Sequence, residues 1–385
     1  MAVVLEKPPL RARLAPLVQG LDGAFLLSVA LLALIGQVVM VSVAWDIEGR
    51  AWDHARNLLI GAVVMLAVAQ VPPQRLQALA VPAYAVGVLL LVAVELVGVT
   101  KKGAQRWLDL GLVTIQPSEL MKIAMPLMLA WWFQQREGRL RALDFGVAAG
   151  LLALPVGLIM LQPDLGTALL VLASGLFVIY FAGLSWKLIV PPLLLGAAGV
   201  ITLIVMEPQW CAPGVDWVVL HEYQRQRVCT LLDPTRDPLG KGFHILQGMI
   251  AIGSGGLWGK GFRQGTQTHL DFVPERTTDF IFAAYAEEFG WVGVLVLLSA
   301  YGMFVWRGLV LAMQASTLFG RLLAGALILV QFVYAFVNIG MVSGILPVVG
   351  VPLPFVSYGG TAMVALGASL GLMLSVGRHK RLVPS

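Results

Sequence analysis

Charge is what this chain has least of. Only 12% of its 385 residues are Asp, Glu, Lys or Arg, against roughly 25% in ordinary soluble domains. Cysteine is almost absent too: Cys211 and Cys229 are the whole complement, and the five histidines are scattered. Neither residue type has the spacing of a metal site. Alternating segments of about ten residues, the mark of a membrane β-barrel, are missing. A nucleotide motif is missing as well. "GSGGLWGKG" approaches a P-loop, but Gly261 follows Lys260 where Ser or Thr is required, and Ser254 stands at the first glycine position. These absences exclude a soluble domain, a barrel and a machine driven by a cytoplasmic nucleotide.

Apolar residues take up the room, at 58% of the chain. Runs of about 20, long enough to cross a bilayer, recur from end to end. The sequence therefore predicts an all-α, polytopic membrane protein forming a single membrane domain over 1–385, with about ten transmembrane helices. They are placed at residues 21–43, 57–71, 76–99, 117–135, 145–161, 165–184, 187–206, 279–306, 321–344 and 358–377. The first apolar run is long enough to span, which speaks against a removable signal peptide. An even count puts both termini on one side. That side holds thirteen of the 26 Lys and Arg, and the short connections opposite hold five. The positive-inside rule then places the termini in the cytoplasm and the long connection, about 207–278, outside. Outside, Cys211 and Cys229 are free to pair, since that compartment is oxidising; two unpaired thiols are the alternative.

Carboxylates and cations inside spans are costly in a bilayer and invite functional readings. Glu119 and Lys122 lie three apart in "QPSELMKIAMP" and share a helical face. They read equally as a self-neutralising ion pair or as part of a site. Asp164, after Pro163, reads first as the N-cap of the sixth span. Glu95 reads as a snorkelling surface group. Asp279 opens the eighth span in "PERTTDFIFAAYAEEFG". It is either a cap or a group that moves protons, and Thr277 or Thr278 could do the capping. On a continuous helix Glu288 would fall opposite Asp279 and Glu287 about 80° round from it, so one of the two faces other helices or water.

The connections hold binding chemistry. "KKGAQRWLDLG" offers Lys101, Lys102, Arg106 and Trp107, and the long connection twice repeats Gly-Lys-Gly-Phe, around Lys241 and Lys260. Cations beside glycine-rich backbone suit phosphate or pyrophosphate, and equally suit lipid head groups. Between the last two spans, "NIGMVSGILPVVGVPLPFVSYGG" sets irregular backbone near membrane depth and brings in the hydroxyls of Ser357 and Tyr358.

With these stretches in view, the sequence resembles the SEDS family (shape, elongation, division and sporulation; the RodA, FtsW and SpoVE proteins). The motifs that carry it are "GAQRWLDLG…QPSELMKIA", "QPDLGTAL", "QGMIAIGSGGLWGKGF", "LDFVPERTTDFIFAAYAEEFG", and Asn338 followed, after five intervening residues, by "GILPVVGVPLPFVSYGG". The resemblance runs from the first span to the last, and the "LPVVGVPLP" turn is nearer the RodA branch than the division branch.

The resemblance implies a peptidoglycan glycosyltransferase of the bacterial cytoplasmic membrane. It would polymerise lipid II, the undecaprenyl-diphosphate-linked disaccharide pentapeptide, at the outer face during cell elongation. Implied partners are a class B penicillin-binding protein, other rod-complex membrane proteins and membrane lipids, but no nucleic acid. The family's essential aspartate falls on Asp279, its Glu and Lys on Glu119 and Lys122, and its loop arginine on Arg106. Chemically, the reaction needs a base for the acceptor hydroxyl and cations for the pyrophosphate. Asp279 is assigned the first task. Arg106, Lys122, Lys260 and Arg276 are candidates for the second, with Glu119 and Ser357 as further substrate contacts. No ATP is required, and the resemblance fixes no cofactor; a divalent cation such as Mg2+ is the one candidate. A lipid II flippase is the alternative reading, and a structural scaffold a third.

Overall fold

In the computed structural model the described residues are 19–379, apart from 102–103, 110, 112–113, 163, 213–214, 216–224, 226–228, 231, 234–240 and 274. Lys102, Pro163 and Pro274 thus lie outside them, as does the glycine that opens the first Gly-Lys-Gly-Phe repeat.

Long helices stand at each of the ten expected places. They are α1 (Gly23–Val43), α2 (Arg50–Val68), α3 (Pro73–Val97), α4 (Pro117–Gln134), α5 (Ala142–Leu161), α6 (Leu165–Phe181) and α7 (Trp186–Val205). After the short α8 (Glu207–Trp210), α9 (Lys241–Ser254) and α10 (Thr266–His269) come α11 (Ile281–Met313), α12 (Leu318–Val342) and α13 (Gly360–Arg378). Eight of these, α4 and α6 not included, are long and apolar enough to cross a membrane. Glu119 and Lys122 lower the hydropathy of α4, and α6 has only 17 residues.

The helix starts follow local chemistry. Pro73 and Pro117 begin α3 and α4, where a missing N–H costs nothing. Asp22 accepts from the backbone N of Phe25 at 2.8 Å and caps α1. Arg307 of α11 then grips the same carboxylate at 2.7 Å and ties two distant segments together. Cys211 and Cys229 form a disulfide in the long connection. The connection between α3 and α4 is more ordered than expected: β1 (Val99–Lys101), β2 (Ala104–Asp109) and β3 (Thr114–Ile115) pair antiparallel in the order β1-β2-β3. Arg106 therefore sits on a strand, not a free loop.

The largest departure from expectation lies at the eighth span. As one rod, 33 residues would reach about 50 Å, well beyond a hydrocarbon core of about 30 Å. Gly290, at φ 63 and ψ −164, breaks it into residues 281–289 and 291–313. The hydroxyl of Tyr285 donates to the carbonyl of Gly293 at 2.6 Å, although residues eight apart on a straight helix are about 12 Å apart along its axis. The first piece is thus folded back, and it is buried along almost its whole length.

A glycine-rich stretch completes this elbow. The backbone N–H groups of Lys260 and Gly261 donate to the carbonyls of Glu287 and Glu288, each at 3.0 Å. Those of Trp291 and Val292 donate to Gly256 and Leu257 at 3.0 and 3.1 Å. Helix ends leave carbonyls and amides without intrahelical partners, and residues 256–261 satisfy both sets at one corner. The amides that looked suited to pyrophosphate are spent on this. A Cβ on Gly290 would come within 2.3 Å of the backbone N of Gly259. Gly290→Ala is therefore expected to cost at least the roughly 1–3 kcal/mol of a strained backbone, read as a lower thermal unfolding midpoint in detergent.

Candidate active site

The ionic groups singled out in the sequence fall into two neighbourhoods at one end of the bundle. The first surrounds the segment between α12 and α13. Here Lys122 on α4 donates to Glu119 Oε1 at 2.6 Å and to the hydroxyl of Tyr334 on α12. Its ammonium also lies 4.9 Å from the centre of that ring. Lys122 is buried, and the pair neutralises itself as an i, i+3 contact should. With Gln331, Ser357 and Ser369, these side chains help line a cavity of about 40 Å³.

Asp164 caps α6, accepting from the backbone N of Thr167 at 3.3 Å, and also takes the side-chain amide of Gln116 at 3.1 Å. Arg106 reaches across from β2. Its Nη1 lies 3.6 Å from Asp164, and its Nε donates to the Gln162 carbonyl at 3.2 Å. The first turn of α6 packs closely on residue 349, since a Cβ on Gly166 would be 2.9 Å from the Val349 carbonyl.

Asp279 lies beside the next residue of that same strip of backbone. A Cβ on Gly350 would sit 3.4 Å from Asp279 Oδ2. Asp279 precedes the helix rather than opening it. Phe280 is the N-cap and no side chain caps there, while Thr278 turns its hydroxyl to the carbonyl and carboxylate of Glu275. Asp279 is thus not the N-cap residue of this helix. Asp279 is half-buried and does not line the 40 Å³ cavity. Between them stands Ser357, whose hydroxyl donates to the Thr278 carbonyl at 2.6 Å and accepts from the Leu353 N at 2.7 Å.

The second neighbourhood takes Lys260 and Arg276 away from the first. Lys260 donates to Glu287 Oε1 at 2.6 Å and to Thr266 Oγ1 at 2.7 Å. The fully buried Glu287 also accepts from the backbone N of Gln267 and Thr268. Glu288 is buried too and takes the Ser42 hydroxyl at 2.7 Å, so both glutamates meet protein and their angular relation to Asp279 on one helix does not arise. Arg276 donates through Nε to the Val43 carbonyl at 3.1 Å and binds Asp46 and Asp271. It pins the chain ahead of Asp279 to the end of α1. Nothing in the sequence had marked Asp46, whose partner lies 230 positions away.

The hydrogen bond from Arg276 holds the Asp46 carboxyl below its ordinary value of 3.8. A depressed carboxyl pKa stabilises the fold above the unfolded value, and the contribution is lost as pH falls through the folded one. The unfolding midpoint of the wild type should therefore drop as pH falls below about 4, and Asp46→Asn should show less of this acid dependence. Equal slopes in the two proteins would contradict that assignment.

Fold and site together define a polytopic helical membrane protein with a buried ionic site where irregular backbone meets one end of its bundle. The particular family follows from comparison. The chain belongs to the family of FtsW, RodA and SpoVE, whose model, described as "Cell cycle protein", matches residues 23–382. It is 48% identical over 363 residues to the peptidoglycan glycosyltransferase MrdB of Escherichia coli K12, covering 94% of this chain and 95% of that one. It is 35% identical to stage V sporulation protein E of Bacillus subtilis, over 76% of each. Among solved structures, it is similar to the Thermus thermophilus rod shape determining protein RodA, with a TM-score of 0.68, 30% identity and coverage of 94% and 98%. It also matches a chain of a peptidoglycan synthase complex solved to explain how polymerization and crosslinking are coordinated. That TM-score is 0.77, at 35% identity, covering 94% of this chain and 99% of that one.

Proposed function

We propose that this chain is a peptidoglycan glycosyltransferase that polymerises lipid II at the outer face of the bacterial cytoplasmic membrane, with Asp279 as its general base. The observation that carries the reading is the position of Asp279: half-buried, just ahead of the N-cap residue Phe280, its carboxylate beside Gly350 in the segment that goes on to wall the Lys122 cavity. Near-full-length similarity to proteins named as peptidoglycan glycosyltransferases supports the reaction class. The disulfide in the long connection supports an outward face for this end of the bundle, because disulfides persist in oxidising compartments.

In the reaction, the Asp279 carboxylate takes the proton of the acceptor sugar hydroxyl as that oxygen attacks the donor's anomeric carbon. The bond from that carbon to the pyrophosphate breaks, and undecaprenyl diphosphate leaves with the electron pair. Bond energy stored in the donor makes a nucleotide unnecessary. The diphosphate charge has to be compensated as it leaves. Arg106, on its strand, and Lys122, on the cavity wall, are the cations assigned to this task. Each is already paired, with Asp164 and Glu119, so binding a diphosphate redistributes these pairs rather than filling a bare positive pocket. Lys260 and Arg276 serve the elbow and the end of α1. Among the described residues no group of three or more His, Cys, Asp or Glu side chains could hold a metal ion. A Mg2+ would then be shared with the substrate's own diphosphate, an arrangement that needs only one or two protein carboxylates.

The partner is a class B penicillin-binding protein that cross-links the strands, in line with the synthase complex to which the chain is similar; the setting is the elongation complex of the cell wall. A flippase of lipid II would use the same lipid without polymerising it. Purified protein supplied with lipid II in detergent separates the two. Glycan polymer is expected; lipid II left unpolymerised in detergent, together with its transfer across vesicle membranes, would establish the flippase instead.

A further inference from the structure

The geometry points to Ser357 and Asn338 as positioning residues that hold Asp279 through its backbone, a proposal that rests on the general-base reading above. Three successive carbonyls ahead of the half-helix are each gripped by one wall of the protein. The Thr277 carbonyl accepts from the backbone N of Tyr358 at 2.8 Å. The Thr278 carbonyl accepts from Ser357 Oγ at 2.6 Å, and the Asp279 carbonyl from Asn338 Nδ2 at 2.9 Å.

Both side chains also hold the opposite strip of chain. Asn338 spends its other amide hydrogen on the Val351 carbonyl at 2.7 Å. Ser357 accepts from the Leu353 N at 2.7 Å. Each residue is therefore a bridge between 277–279, which carries the carboxylate, and 351–357, which faces it. Both bridges are out of solvent, with Asn338 0% and Ser357 2% exposed. Water cannot replace a lost bond there without entering the core.

The backbone being held is not at rest. Glu275 and Phe355 adopt φ of 50 and 66, a region that residues other than glycine rarely occupy. Such backbone keeps its place only if its neighbours fix it. Asn338 is one helical turn beyond Tyr334 on α12, and Tyr334 takes the Lys122 ammonium. One face of α12 thus sets both the backbone of the base and the lysine of the buried ion pair. The far end of the half-helix is anchored separately by residues 256–261. Loss of one bridge should loosen the carboxylate without releasing the helix.

Proton transfer requires the base within about 2.6–3.2 Å of the hydroxyl, and a displacement of about 1 Å can cost roughly a hundredfold in rate. Ser357→Ala is the main test, assayed as lipid II polymerisation by the whole chain in detergent, with Asn338→Ala beside it. The expected result for Ser357→Ala is a fall in kcat of about 10- to 100-fold, with KM within about twofold and the unfolding midpoint within a few degrees. Wild-type kcat in both variants overturns the proposal. So does a loss that only follows the loss of folded protein in both. The parent reading is tested apart: an active Asp279→Asn protein refutes the general base, whereas an inactive one beside fully active Ser357 and Asn338 variants refutes the bridges alone.

Discussion

Asp279→Asn is expected to remove lipid II polymerisation by about 10²- to 10⁴-fold, the usual contribution of a positioned acid or base, while the protein folds and binds its substrate as before. Asparagine keeps the size and the planar end of the side chain. Asn338, Ser357 and Tyr358 hold the backbone carbonyls of residues 277–279, and the change leaves these contacts intact. What is lost is the basic oxygen. Initial rates of polymer formation, set beside the unfolding midpoint and lipid II affinity of the same sample, check this. A variant that binds and turns over like the wild type would show that the carboxylate only shapes the chain.

The second large effect is expected at Lys122. Its ammonium and the Glu119 carboxylate are mostly buried, at 8% and 17% side-chain exposure, and 2.6 Å apart. Removing one member strands the other charge, which typically costs about 3–5 kcal/mol. Lys122→Met should therefore lower stability sharply and abolish activity. The double replacement Glu119→Gln with Lys122→Met leaves no stranded charge and should regain most of the stability. Activity should stay lost if, as proposed, Lys122 compensates the leaving diphosphate. Unfolding midpoints and polymerisation rates of the three proteins separate the two roles. A stable and fully active double variant would make the pair purely structural.

How much of this was legible depended on range. Helix positions were readable because length and apolarity are local properties: a helix overlaps each of the ten apolar runs, and eight of these helices are long and apolar enough to cross a membrane. The Glu119–Lys122 pair and the Asp164 cap were readable for the same reason, each acting within four residues. The elbow was not. "AEEFGWVG" reads as one continuous helix, since a single glycine is tolerated there. The one available signal was the total, 33 helical residues where a bilayer needs about 20. Lys260 and Arg276 looked like phosphate ligands because composition shows a cation but not its partner. Glu287 lies 27 residues from the first, and Asp46 lies 230 from the second. Ser357 was singled out as a substrate contact, but its hydroxyl serves the backbone of Thr278, a pairing across 79 residues that no local pattern contains.

The pH dependence of turnover tests the central claim most directly. A general base works only when ionised, so kcat of the wild type should fall about tenfold for each pH unit along its acid limb. The residual turnover of Asp279→Asn, measured with excess protein over the same range, should be flat on that acid side. An acid limb of the same slope and midpoint in Asp279→Asn would mean that some other group takes the proton.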